Sequence, residues 1–173
     1  MHTVSATRTI DSPVGAVWNV IDDFGNVHRY HPGLKHSEGI NDVATGVGAE
    51  RRCDFYDGNT IHEELIERVP ERRAAQNVFD LGSLPLETVV GSMDLEPIDG
   101  HSTEVTMTLS FVPKYGPVGW LMAKLMMERQ LRGLSEDILA GLDTHLQTGE
   151  VVGPNGAPET EDAGSSAMAA ETR

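Results

Sequence analysis

A chain of 173 residues, 39% of them hydrophobic, is long enough for one domain of ordinary size plus a short extension, and needs neither disulfides nor structural metal to hold a core. Its single cysteine, Cys53, excludes an intramolecular disulfide framework, and residues 1–30 hold no basic stretch followed by an apolar one, so a cytoplasmic location is expected. Asp and Glu outnumber Lys and Arg by 27 to 13, a formal charge of −14, which opposes binding to nucleic acid or to an anionic membrane surface; no apolar run approaches the roughly 18 to 20 residues of a membrane span, so stable membrane insertion is not expected.

In chain order, residues 3–10 alternate Val4, Ala6, Arg8, Ile10 against Thr3, Ser5, Thr7, Thr9, the period of a first strand. Ser12 followed by Pro13 predicts a capped helix start, and Val14, Val17, Trp18 and Ile21 make one apolar face before Gly25. A further helical turn over 26–30 is predicted to stop where His31 precedes Pro32. From residue 34 to 113 turn signals at 41–42, 57–59, 70–71, 82–85 and 99–100 separate six strands, over 34–40, 49–56, 60–69, 74–81, 87–98 and 102–112. Asp57-Gly58-Asn59 is a strong hairpin signal. After Tyr115-Gly116-Pro117 one long helix is predicted to run to Leu146, with Gly149 as its terminating glycine. Met127, Leu131, Leu134, Ile138 and Leu142 form its apolar stripe, with Glu128 and Arg132 spaced to pair outside. Residues 150–173, rich in Gly, Pro, Ala and acidic side chains, are expected to form a disordered acidic tail after a domain of residues 1–149.

That order is α+β: a seven-stranded antiparallel sheet whose inner face needs a large apolar body, and only the last helix is long enough. A strongly twisted sheet curling around one helix is not filled by it everywhere, which predicts a cavity. The motifs support the same architecture. Ile10-Asp11-Ser12-Pro13 leading to Val17-Trp18, Tyr30-His31-Pro32, Gly46 to Arg51, Glu63-Glu64-Leu65, Leu84-Pro85-Leu86 and Thr103-Glu104-Val105 through Phe111 resemble the polyketide cyclase/dehydratase and lipid-transport superfamily, also called START-like, Bet v 1-like or SRPBCC, over residues 3 to about 146. The resemblance implies a helix-grip fold around a ligand cavity. Tyr30 stands where many relatives have tryptophan and Met107 where an aromatic is usual, so the lining is expected to differ.

Strand parity that turns Cys53, Phe55, Ile61 and Leu65 inward turns Arg51 and Glu63 inward as well. Two ionised groups on an apolar wall call for mutual pairing. The ligand-binding set expected from the sequence is Tyr30 and His31 in the lid, Arg51, Phe55 and Glu63 on the hairpin, Val89, Met107, Leu109 and Phe111 on the last two strands, and Trp120, Lys124 and Met127 on the apolar half of the helix. His31 is expected against Trp18 or Tyr30, and His36 and His62 are within possible reach of the cavity. Neither a metal nor a cofactor is expected: His28 and His31 lack further ligands at suitable spacing, and no phosphate loop or dinucleotide fingerprint occurs.

The reading that follows is binding or carriage of a small hydrophobic molecule, such as a lipid, an isoprenoid or a polyketide-like compound. An alternative is a cyclase/dehydratase-type enzyme using Glu63 with Arg51 or His31. A second alternative is a protein-interaction module, which predicts a filled core and an exposed apolar patch.

Overall fold

In a computed structural model of the chain, residues 1–114 and 117–159 are described, the side chains of 117–125 excepted. Strand β1 (His2–Ile10) leads into helix α1 (Val14–Asp22) and a 3-10 segment (Phe24–Arg29). Six strands follow: β2 (Leu34–Gly39), β3 (Glu50–Phe55), β4 (Thr60–Val69), β5 (Arg73–Asp80), β6 (Leu86–Pro97) and β7 (Thr103–Pro113). Helix α2 (Pro117–Thr148) comes last. The strands form one antiparallel sheet in the order β1-β7-β6-β5-β4-β3-β2, the helix-grip arrangement that the motifs imply.

Alternation decides the faces. On β1 and β7 the outward hydroxyls pair across the strands, Thr3 with Ser110, Ser5 with Thr108 and Thr7 with Thr106, at 2.9 to 3.1 Å. Val4, Ile10, Val105, Met107, Leu109 and Phe111 turn inward and are buried. Register shifts between β2 and β3, β4 and β5, and β6 and β7 add local twist that curls the sheet. Helix α2 packs on β1 and β7, burying Ile138, Leu139 and Leu142. At Gly141 the helix meets the lid so closely that a Cβ would collide with the Tyr30 carbonyl oxygen.

Several local expectations are corrected. Ser12 does not cap α1: Pro13 occupies the cap position with no side-chain hydrogen bond, and the Ser12 carbonyl instead accepts from the Thr103 hydroxyl at 2.8 Å. Glu128 and Arg132 do not pair with each other; Glu128 reaches the His2 ring and Arg132 donates to the Ser5 carbonyl, because β1 lies within their reach. Gly149 does terminate α2, with φ 74° and its N–H on the His145 carbonyl. The chain then stays on the domain through residue 159. Val152 is buried, its N–H donates to the Arg29 carbonyl, and a bridge joins Val152 to Pro158. Residues 150–159 therefore do not form the disordered segment expected of them, since one buried valine and the backbone bonds around it offset the ordering of this hook. Residues 160–173 of the expected tail lie outside the described residues.

Candidate functional site

The hairpin of β3 and β4 places Arg51 directly opposite Glu63, and both side chains are almost completely buried. Arg51 Nε donates to Glu63 Oε2 at 2.6 Å and its Nη1 to the Phe24 carbonyl at 2.9 Å. The guanidinium lies over the Phe24 ring, 4.0 Å from its centroid, so the lid caps the pair. Burial opposes the Arg51 charge, but Glu63, Cys53 and Tyr30 together outweigh it and raise the pKa above its ordinary value. The Cys53 thiol donates to the same Glu63 oxygen at 3.6 Å. Burial, with Arg51 only partly opposing it, pushes that thiol up to about 12, which keeps it unreactive.

The lid supplies Tyr30 and His31. Burial raises the Tyr30 phenol to about 12 and, aided by the nearby Arg51 charge, lowers His31 to about 4. Both are neutral near pH 7. His31 Nδ1 accepts the Gly33 N–H at 3.0 Å, which assigns the ring proton to Nε2. The ring sits edge-on to Phe55, centroids 6.0 Å apart, rather than against Trp18 or Tyr30, because the turn at Pro32 aims it at the hairpin.

Between lid, hairpin, β5–β7 and α2 is a cavity of about 120 Å³. Of the residues expected to line it, Tyr30, His31, Arg51, Phe55, Glu63, Val89, Met107 and Leu109 do so. Phe111 is not part of this lining: it is buried at the far end of β7 with its ring 5.5 Å from that of His2. Met127 is half-buried against the core, also outside the lining, while the side chains of Trp120 and Lys124 lie outside the described residues. Neither His36 nor His62 reaches the cavity: His36 is exposed beside Glu38, and His62 pairs with Asp80 at 3.1 Å and stacks on Phe79. His28 bonds Ser37 at 2.8 Å, and no group of three metal-ligating side chains occurs among the described residues.

The sequence reading missed Gln76 and most of the leucines around the mouth. Gln76 shares the inward parity of Ala74 and Val78 on β5 and lines the cavity. Its cross-strand partner is Gly91, where a Cβ would come within 2.7 Å of the Gln76 amide nitrogen. A polar residue at an inward position opposite a glycine was the available signal. Leu81, Leu84 and Leu86, which follow β5 and open β6, and Leu131, Leu134 and Ile138 of α2 complete the apolar wall.

A family model described as polyketide cyclase / dehydrase and lipid transport matches residues 1–147. No curated protein matches the chain. Among solved structures, the Zhui aromatase/cyclase from Streptomyces sp. R1128 is similar with a TM-score of 0.66 at 17% identity, over 86% of this chain and 97% of that one. A START superfamily protein from Mycobacterium smegmatis gives 0.66 at 14% identity, over 85% and 98% of the two chains. The di-domain ARO/CYC BexL of the BE-7585A biosynthetic pathway gives 0.70 at 16% identity, over 85% of this chain and 47% of its own. At these identities the likeness is one of fold.

Proposed function

We propose that this chain, which belongs to the polyketide cyclase / dehydrase and lipid transport family, binds a small hydrophobic molecule in its internal cavity. The observation that carries this reading is an apolar space walled by every layer of the fold, with a few polar groups at one end, the usual composition of a ligand site. A filled core, which a pure interaction module would have, does not fit that space.

The polar groups favour binding over proton transfer. Glu63 Oε2 already accepts from both Arg51, at 2.6 Å, and Cys53, so that oxygen is occupied by donors of the wall itself. His31 spends Nδ1 on the Gly33 N–H. The buried single thiol fits the cytoplasm as the place of action, and the charge of −14 argues against nucleic acid as a partner. No helix among the described residues is long and apolar enough to cross a membrane.

Native mass spectrometry of the chain purified from its source cells is the test. The expected result is a co-purified small molecule, released unchanged on denaturation. Chemical conversion of an added ligand, abolished by Glu63→Gln in a folded variant, would instead support the cyclase/dehydratase-type enzyme.

A further inference from the structure

Gln76 and Tyr30 bring polar groups to the cavity with no hydrogen bond to any described side chain or backbone group. Every fully enclosed side-chain nitrogen or oxygen among the described residues has a partner. The Tyr30 hydroxyl, on a residue only 3% exposed, therefore borders the open space itself. Gln76 lies one inward position along β5 from Val78, which faces Glu63 directly, so its amide is a diagonal neighbour of the ion pair on the same inner face. Gly91 leaves the room into which that amide folds.

The wall also specifies charge and size. Among the described lining residues its cation and its anion are bonded to each other, and the other titratable groups there are neutral. A carboxylate entering this space would add a buried anion with no free cation to answer it among the described lining residues. The volume of about 120 Å³ is near that of an apolar cavity that accepts benzene, about 150 Å³. It falls short of the roughly 300 Å³ at which pockets for larger ligands begin.

Resting on the binding reading above, we infer that the cavity selects an uncharged single-ring molecule with one hydroxyl or carbonyl group, which hydrogen-bonds to the Gln76 amide and the Tyr30 hydroxyl. The pair of Arg51 and Glu63 stays closed on itself and only borders the ligand.

The test is titration of the full chain with phenol, benzene, benzoate and 1-dodecanol, followed by calorimetry and by the side-chain amide signals of Gln76. Phenol is expected to saturate the cavity and to bind at least about tenfold more tightly than benzoate. Gln76→Leu and Tyr30→Phe should each weaken phenol about fivefold, the worth of one neutral hydrogen bond, while benzene binding stays within about twofold and shows that the cavity survives. Benzoate binding as tightly as phenol, or benzene weakened as much as phenol by Gln76→Leu, would overturn the inference. Binding of dodecanol but not phenol would overturn it while leaving the cavity-binding reading in place. Binding of none of the four would remove both.

Discussion

The two flanks of the sheet are built alike and end up different. On the β1–β7 flank, α2 lies directly on the strands, and Ile10, Val105, Leu139 and Leu142 interlock with almost no exposed surface. On the β2–β5 flank the short 3-10 lid packs on β2 and β3, and its apolar residues Phe24 and Val27 are too few to fill the curl of the sheet. The first flank is stabilised by close packing. The second is held by polar geometry, with Arg51 spanning from Glu63 to the Phe24 carbonyl and ring. A cavity arises where packing gives way to a buried ion pair, because such a pair restrains the lid without needing the space beneath it to be full.

Breaking the ion pair gives the largest expected effect. Glu63→Leu leaves the Arg51 charge buried and unanswered and should cost about 4 kcal/mol, read as a lowered urea midpoint. Arg51→Met combined with Glu63→Leu should recover most of that loss, since it removes the unpaired charge as well. If the double variant is as unstable as the single one, the flank depends on shape rather than on charge pairing.

Cavity-forming substitutions compare the flanks directly. Leu142→Ala on the packed side is expected to cost about 3.5 kcal/mol. Leu65→Ala on β4, a buried residue of the cavity wall, extends space already present and should cost about 2 kcal/mol. Equal losses in parallel denaturation curves would mean that the two sides are packed alike.

Acid should act on the lid flank next. The unfolded chain protonates His31 near its ordinary 6.5, whereas the folded chain resists until about 4. Between those values the unfolded state binds the extra proton, so stability falls as pH drops through that window, by on the order of 3 kcal/mol, and this contribution levels off below it. His31→Asn, whose side-chain oxygen can still accept the Gly33 N–H, should flatten that part of the stability profile. An unchanged slope would assign it to other groups.

The smallest effect is expected at the C-terminal hook. Val152→Ala should cost about 1.5 kcal/mol and increase amide exchange in the segment around Arg29, whose carbonyl the hook engages. A loss of stability with no change in that exchange would separate the hook from the lid.

Periodicity was sufficient for the strands and for α2, because each buries one face and a slip by one residue would turn that face to water. The same parity is enough to put Arg51 and Glu63 together in the wall. Parity places a residue on a face without saying how far along the strand the cavity extends. Phe111 shares the face of Met107 and Leu109, yet ends against His2, while Gln76, a polar residue at an inward position, lines the cavity. The inner ends of the hydrogen bonds were likewise hidden, since Ser12, Glu128 and Arg132 chose partners more than ninety residues away in sequence.

What the sequence by itself determined is the set of elements, their antiparallel pairing and the inward residues of each strand, all of them consequences of local period and turn chemistry. Tertiary structure decided where α2 rests, how far the lid covers the curl, that residues 150–159 return to the domain, and how much space remains. Those outcomes depend on how elements distant in the chain pack together, and packing is a property of three-dimensional shape that no local pattern encodes.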